Sequence, residues 1–211
     1  NTPEGKVIYT NFLDEDGGVH ADLTISRLGS DSYRVVTGGA DGNRDWVTLR
    51  NYRDDNGLNA DINIRTHDIA TIGLWGPKAV NALENFIDPN DIDIKNFPFV
   101  TAKNLTLNLS GEKKLDVWAA RISYVGESGW EIYFNNDKGD GLALYDSLLE
   151  VGVVPVGIET YANSRRLEKC FRLQGADLET EYNAIEAAIQ RPLVKEADFH
   201  GKFAHLAHRK E

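Results

Sequence analysis

Apolar and polar residues alternate over several short stretches of the chain, and turns rich in glycine and aspartate separate these stretches. Such alternation is typical of half-buried strands. Near the start of the chain, strands are predicted at Val7–Leu13, Ala21–Leu28 and Tyr33–Thr37. Because short turns connect them, we expect a three-stranded meander. Residues from Asp41 to about Asp55 then have the spacing of a helix.

The remainder of the chain mixes strands and helices in the same way. Further strands are predicted at Ile62–Arg65, Ala70–Trp75, Phe97–Leu109, Leu115–Tyr124 and Trp130–Phe134. Helices are predicted at Lys78–Ile87, Asp140–Leu149, Thr160–Cys170, Glu181–Ala188 and Phe203–His208. In the helix at 140–149, the residues predicted to face inward are Leu142, Tyr145, Leu148 and Leu149. Strands and helices do not alternate regularly, which predicts an α+β fold rather than a doubly wound sheet.

Composition narrows the class of protein. The chain has 211 residues, of which 41% are hydrophobic and 27% charged, and these values are typical of a globular protein with a sizeable core. A net charge of −10 argues against nucleic acid and anionic membranes as partners, because both need a basic surface. A single cysteine excludes an internal disulfide and suits a reducing compartment. Since the chain contains no methionine, we expect it to be a domain of a larger protein.

The most informative stretch runs from Arg121 to Tyr133. Apolar and aromatic residues stop at Gly126-Glu127-Ser128-Gly129 and resume at Trp130, which predicts two strands joined by a tight turn. A carboxylate at such a turn can accept two parallel N–H bonds from the edge of a planar amidine-like ring, such as a pterin or a guanine. An ordinary solvated turn acid is the alternative interpretation of Glu127.

The same stretch resembles the tetrahydrofolate-site hairpin of the glycine cleavage T-protein (aminomethyltransferase) family. The shared pattern is R-x-x-Y-[TV]-G-E-x-G-[WF]-E, beginning here at Arg121. Its tryptophan variant looks most like the folate domains of dimethylglycine and sarcosine dehydrogenases. The resemblance implies that Tyr124, Glu127 and Trp130 bind the cofactor, with Glu127 holding the pterin edge and Tyr124 lining the pocket.

Asp22 is the candidate catalytic residue. It lies inside a predicted strand, shortly after a Gly-Gly turn, although aspartate is depleted in strands. This pattern is compatible with a functional role for Asp22 and equally with an exposed position on an edge strand. The segment from Tyr9 to Leu28, Y-T-x-x-L-x-x-x-G-G-V-x-x-D-L-T-[IV]-x-R-L, resembles the segment that carries the family's catalytic aspartate. By position, Asp22 would take that role beside the folate nitrogens.

The predicted helix at Thr160–Cys170 carries several basic residues. Arg165 and Lys169 share one face, as is typical of a solvated basic surface. Arg166 opens R-L-E-K, which resembles the family's substrate-contacting arginine motif. The resemblance implies that Arg166 pairs with an oxygen of the bound folate. The family usually has a small residue where this chain has Arg165, so the register between the two arginines stays open.

No metal site is predicted. The histidines at 200, 205 and 208 lack the further ligands that a metal needs, and we interpret them as surface residues near a terminal helix. Cys170 is interpreted as a packed thiol rather than a nucleophile.

Landmarks of the family occur in order from Tyr9 to about Lys202, so the resemblance covers nearly the whole chain. We therefore interpret residues 1–211 as an aminomethyltransferase-like folate-binding domain. The resemblance implies two intertwined subdomains built from antiparallel meanders packed with helices. The C-terminal barrel of T-proteins and the upstream FAD domain of the dehydrogenases do not appear in the sequence, which again favours a fragment.

The activity implied by the resemblance is tetrahydrofolate-dependent one-carbon transfer. A methylene unit would pass from a substrate amine or aminomethyl donor to tetrahydrofolate, in the cytoplasm or, in a eukaryote, the mitochondrial matrix. One alternative is the folate domain of a dimethylglycine or sarcosine dehydrogenase, with an FAD domain or flavoprotein partner. Others are a folate-dependent demethylase, a non-catalytic folate-binding module and a structural interaction domain. The family's non-catalytic branch has a K-G-C-Y-x-G-Q-E motif that this sequence lacks.

Overall fold

The computed structural model describes residues 2–136 and 139–210 and is a mixture of antiparallel sheets and helices. The strands in this part of the chain are β1 (Val7–Leu13), β2 (Val19–Arg27), β3 (Tyr33–Thr37), β4 (Ile69–Trp75), β5 (Ala102–Asn108), β6 (Lys114–Ala120) and β7 (Gly129–Asn135). The helices are α1 (Gly42–Asp55), α2 (Ala79–Leu83), α3 (Pro89–Ile92), α4 (Asp140–Glu150), α5 (Arg166–Glu168) and α6 (Lys202–His208). A 3₁₀ turn covers Ser110–Glu112, and a π-helix at Glu159–Arg165 runs directly into α5.

Two sheets are formed by the described strands. The first has the order β1-β2-β3, which confirms the predicted meander. The second has the order β4-β7-β6-β5, in which each neighbouring pair is antiparallel. The α+β prediction is confirmed.

The chain divides into two compact units that alternate along the sequence, as the prediction of two intertwined subdomains required. Unit 1 consists of Asn1–Val7, Ser26–Tyr33 and Asn63–Phe171. Unit 2 consists of Ile8–Ile25, Arg34–Ile62 and Arg172–Glu211.

Unit 1 is built around one face of the sheet β4-β7-β6-β5. Successive strand residues point to opposite faces, so Trp130, Ile132 and Phe134 of β7 enter the core together. Leu144 and Leu148 of α4 pack against the same cluster. Full burial of each such side chain stabilises the fold by about 1.5–3 kcal/mol. The inward face of α4 is therefore centred on Leu144 and Leu148; Leu142, Tyr145 and Leu149, which we predicted to face inward, are exposed.

The core of unit 2 is smaller. Val19 of β2 packs against Leu178, Ala184 and Ala187. The backbone of this C-terminal segment also pairs with β2, since Val19 N–H donates to the Tyr182 carbonyl at 2.9 Å. This pairing explains why the helix predicted at 181–188 does not form, while the helix predicted at Phe203–His208 is confirmed as α6.

Two other predicted elements differ from the structure. Residues 62–65 form no strand, and Ile64 is exposed. The helix predicted at Lys78–Ile87 is shortened to α2, because Asn85 Nδ2 caps its end by donating to the carbonyls of Asn81 and Ala82. None of the helices in residues 2–136 and 139–210 is long and apolar enough to cross a membrane.

The tight hairpin predicted around Glu127 is replaced by a longer loop at 121–128, because β6 ends at Ala120 and β7 begins at Gly129. The Arg121 backbone still bonds to Val100 and Thr101, and its side chain donates from Nη1 to the carbonyls of Ile92 and Phe97. Gly129 re-enters the sheet with φ +150°, where a Cβ atom would meet the Leu74 carbonyl oxygen. A glycine is needed at that position.

Candidate functional site

Asp22 lies within a strand, as predicted; this strand is β2, and the residue belongs to unit 2. Its closest described partner is a tyrosine on the neighbouring strand. Tyr9 Oη donates to Asp22 Oδ2 at 3.4 Å. Asn11 Nδ2 lies 3.4 Å from the same hydroxyl. The strand alternates between two environments here, because Ala21 and Leu23 are buried whereas Asp22 is only partly buried. The carboxylate can thus be reached while its strand is held firmly by the core.

Burial dominates the electrostatics of this pair. It raises the pKa of Asp22, with smaller contributions in the same direction from Asp41 and Asp45, while the Tyr9 hydrogen bond opposes the shift. Burial also raises the pKa of Tyr9 to about 12. Tyr9 therefore stays protonated and remains a donor to Asp22. A poorly solvated carboxylate with one neutral donor interacts strongly with a cation brought close to it.

The two acidic residues that act on Asp22 lie at the start of α1, with Asp41 at its N-cap and Asp45 in its first turn. Asp45 is almost completely buried; it accepts a short hydrogen bond from Thr37 and a charged one from Arg44 Nε at 3.0 Å. His20, two residues before Asp22 and on the same face of β2, contacts Thr48 of α1 at 3.1 Å. These polar contacts connect α1 to the strand that carries the candidate catalytic residue.

Glu127 lies in the 121–128 loop of unit 1 and faces the π-helix. Arg165 Nη2 lies 2.6 Å from Glu127 Oε1, and Arg165 Nη1 lies 2.9 Å from Glu168 Oε2. Each of the three side chains is about a third exposed or more. The structure thus gives Arg165, which we interpreted as part of a solvated surface, a bridging position between two carboxylates.

Tyr124 lies in the same loop and belongs to an aromatic cluster. Its ring centroid is 5.5 Å from that of Tyr161 and 6.0 Å from that of Phe171, with the Phe171 ring nearly parallel to it. Tyr161 in turn stacks on Trp75 at 5.3 Å. Flat, adjacent rings of this kind can hold a planar heterocycle by stacking.

Arg166 is placed on α5 next to this cluster, but its guanidinium faces inward. The residue is 5% exposed, with Nε donating to the Ala162 carbonyl at 2.6 Å and Nη1 to the Phe171 carbonyl at 3.0 Å. These bonds fix the backbone on either side of α5, including the segment that bears Phe171. Arg166 thus positions the aromatic cluster from within unit 1.

Trp130 occupies the core rather than a surface that a ligand can contact. It is 0% exposed, lies against Phe97, and its ring is covered by the Arg121 guanidinium at 4.9 Å. In this structure its contribution is to packing, which corrects the expectation of direct cofactor contact. The physical reason is strand alternation: Trp130 takes the core face of β7 and its neighbour Glu131 takes the other.

Glu131 is the residue that our sequence reasoning missed. In the sheet it pairs with Gly73 on β4 and Ala120 on β6, so small residues flank the carboxylate on both sides. The Trp75 ring lies directly over Gly73. Burial raises the pKa of Glu131, and the Tyr133 hydroxyl donates a short hydrogen bond to it. The signal available in the sequence was a glutamate within a predicted strand, at the last position of the shared pattern.

The predicted site residues thus fall into two groups. Tyr124, Glu127 and Arg166 lie close to one another in unit 1, where the loop faces the π-helix and α5. Asp22 belongs to unit 2. Two other expectations are wrong, because Cys170 is exposed and His205 is buried.

Comparison with known proteins gives a consistent result. The family described as GCVT N-terminal domain matches residues 1–196. Human mitochondrial dimethylglycine dehydrogenase is 33% identical over 208 residues, covering 94% of this chain and 23% of its own length. An aminomethyltransferase of Bacteroides fragilis is 29% identical over 187 residues, covering 88% of this chain and 49% of its own.

The fold has a counterpart among solved structures. The glycine cleavage system aminomethyltransferase T from Bartonella henselae superposes with a TM-score of 0.79 at 23% identity, over 99% of this chain and 54% of that protein. The chain therefore spans about half the length of the aminomethyltransferases it matches and about a quarter of the dehydrogenase.

Proposed function

This chain belongs to the GCVT N-terminal domain family, and from that membership we propose that it binds tetrahydrofolate and supports transfer of a one-carbon unit from an amine donor. The family is folate-binding in general, and relatives named aminomethyltransferase match most of the chain. The proposal extends this general property to a particular cofactor, reaction and set of residues.

One observation in unit 1 carries the proposal. Glu131 presents a partly buried carboxylate between Gly73 and Ala120, and the Trp75 ring lies beside it over Gly73. The flat bicyclic ring of a folate has an amidine-like edge that donates two parallel N–H groups, and a carboxylate is the matching acceptor. The residues present therefore fit the cofactor both in charge and in shape.

Glu127 and Glu131 are both candidates for that acceptor. We favour Glu131, because Arg165 already occupies Glu127 at 2.6 Å, whereas Glu131 receives one neutral hydroxyl from Tyr133. Glu127 would contribute through the loop, by holding Arg165 and the π-helix in place. Tyr124 would line the pocket as part of the aromatic cluster, Arg166 would position that cluster, and Trp130 would hold β7 from the core side.

Asp22 takes the catalytic role in this proposal. Bound tetrahydrofolate would supply the nitrogen that accepts the one-carbon unit. Asp22 would stabilise positive charge that develops there, which a poorly solvated carboxylate does well. Tyr9 would hold Asp22 in the right orientation with its protonated hydroxyl.

The test is a titration of the purified protein with tetrahydrofolate by calorimetry, comparing the parent with Glu131→Gln and Glu127→Gln. Loss of a charge-assisted pair costs about 1.5–3 kcal/mol, so Glu131→Gln should weaken binding roughly 10- to 150-fold. Glutamine still accepts from Tyr133, so the fold is preserved, and Glu127→Gln is the matched control with a smaller effect. Absence of binding by the parent would reject the proposal, and a larger loss in Glu127→Gln would return the acceptor role to that residue.

A second candidate is the folate domain of an amine dehydrogenase. The 33% identity to dimethylglycine dehydrogenase over 94% of this chain favours it. In that case a flavin domain or flavoprotein partner would generate the one-carbon unit. Bound flavin absorbance in the full-length protein would distinguish this candidate from a free-standing aminomethyltransferase.

A further inference from the structure

Unit 1 contains a cleft that the proposed cofactor site does not use. Its volume is about 330 Å³, and it lies among α2, α3 and the start of the 121–128 loop. Apolar walls are provided by Val80, Ile92 and Ile94. Arg121, which lines the cleft, lies over the ring of Trp130 on the core face of β7. Glu131 takes the other face of that strand, so the cleft and Glu131 lie on opposite sides of it.

Arg121 forms the charged part of this cleft. The residue is 6% exposed, and its Nη1 donates to the carbonyls of Ile92 at 3.0 Å and Phe97 at 2.7 Å. Among the described residues, Nε and Nη2 of Arg121 have no hydrogen-bond partner, and Arg121 makes no ion pair within 4.0 Å. Burial lowers the pKa of this guanidinium, and Asp93 acts against the shift. The spare donors of this guanidinium can bind an anion that enters the cleft.

Two carboxylates also line the cleft. Glu84 follows α2, and no ion pair in the described part of the chain includes it. Asp93 follows α3, and its Oδ1 accepts from the Lys95 amide at 2.8 Å. A simple anion would be repelled by these two acids, and a simple cation by Arg121. A molecule that carries both charges satisfies all three residues.

We propose that this cleft binds a small zwitterion of the amino-acid type, with its carboxylate on Arg121, its ammonium toward Glu84 and Asp93, and an aliphatic side chain against Val80, Ile92 and Ile94. The site is separate from the proposed folate site and requires no reaction. It gives the protein a second small-molecule ligand, recognised by paired opposite charges across an apolar cleft.

The experiment measures binding of L-valine to the purified protein by calorimetry, beside two analogues that each lack one charge, 3-methylbutanoate and 2-methylpropylamine. One charge-assisted hydrogen bond contributes about 1.5–3 kcal/mol, so L-valine should bind at least about tenfold more tightly than either analogue. Equal affinity for L-valine and one of the analogues would overturn the zwitterion assignment.

Variants locate the site without disturbing Arg121, whose Nη1 bonds are structural. Glu84→Gln and Asp93→Asn should each weaken L-valine binding severalfold and leave 3-methylbutanoate binding unchanged; asparagine still accepts from Lys95. Val80→Phe should fill the cleft and abolish binding of all three probes, with an unchanged melting temperature as the folding control. Unimpaired L-valine binding by Val80→Phe would overturn the location.

Glu131→Gln should leave L-valine binding intact, so failure of the folate proposal and failure of this one are distinguishable.

Discussion

Replacing Asp22 by asparagine should separate the catalytic role of this residue from any role in stability. The substitution keeps the shape of the side chain and removes its charge. Burial raises the pKa of Asp22, which means that the ionised carboxylate destabilises the folded state. Removing the charge relieves that cost, so Asp22→Asn should be at least as stable as the parent near neutral pH.

The structure sets the size of each effect. The hydrogen bond from Tyr9 is 3.4 Å long, at the outer limit for such bonds, so weakening it should cost less than about 1 kcal/mol. By contrast, removing a group that stabilises charge in a transition state typically lowers the rate about 10²–10³-fold. Asp22→Asn should therefore lose about two to three orders of magnitude in kcat while its unfolding midpoint stays the same or rises.

The sign of the pH effect follows from the raised pKa. In the pH range between the ordinary and the raised value, the folded parent binds more protons than the unfolded chain. Its stability therefore falls as pH rises through this range, and Asp22→Asn should lack this component. Urea unfolding at several pH values and a tetrahydrofolate-dependent turnover assay of the full-length protein measure the two quantities.

Asp116 provides a matched control. It is also an aspartate within a strand, but it is exposed on β6 and accepts a hydrogen bond from Thr106 at 2.6 Å. Asp116→Asn should leave turnover unchanged. If Asp22→Asn retained more than a tenth of the parent's turnover, or unfolded at markedly lower urea, the electrostatic argument for Asp22 would be refuted.

Two other predictions concern Glu131 and α4. Burial raises the pKa of Glu131, and only the ionised form of this residue accepts two N–H groups. Tetrahydrofolate affinity should therefore fall as pH decreases through that raised pKa. Calorimetry should show this pH dependence in Glu127→Gln and not in Glu131→Gln. Leu144→Ala should destabilise the protein by about 2–5 kcal/mol because Leu144 is fully buried, whereas Leu142→Ala, at a residue that is 66% exposed, should change stability by less than about 0.5 kcal/mol; equal unfolding midpoints for the two variants would contradict the packing of α4.

Elements whose patterns depend on local spacing could be predicted well from the sequence. The strands β1 and β3, and the helices α1, α4 and α6, lie close to their predicted positions. Of the four residues predicted to face inward on α4, only Leu148 is buried, because the helix has apolar residues on two sides. Leu142, Tyr145 and Leu149 have a helical spacing as regular as that of Leu144 and Leu148, and only the sheet beneath decides which set is buried.

Elements that depend on long-range pairing could not be predicted in this way. The apolar residues at 181–188 have helical spacing, but their backbone forms hydrogen bonds with the start of β2 and within turns around Asn183. In the same way, the sequence around Glu127 indicates a tight hairpin, because nothing local reveals that the Arg121 side chain donates hydrogen bonds to the carbonyls of Ile92 and Phe97.

The candidate site shows both outcomes. Asp22, Tyr124 and Glu127 could be selected from motif order, but Glu131 could not be identified until its strand partners were known. Its partners Gly73 and Ala120 are 58 and 11 residues away in sequence, and it is their small size that leaves room beside the carboxylate. Strand register, rather than the motif, distinguishes the two glutamates.

The alternation of the two units along the chain has a consequence for synthesis on the ribosome. No single continuous segment contains either unit, so neither can fold as an autonomous piece when its first strand emerges. Unit 1 has all its residues only after Phe171 leaves the exit tunnel, and unit 2 must wait for the segment that begins at Arg172 and pairs with β2. The early sheet β1-β2-β3 thus remains without the C-terminal segment that bonds to β2 until that segment has been made, and this interval is when the nascent chain is most exposed to aggregation and most dependent on chaperones.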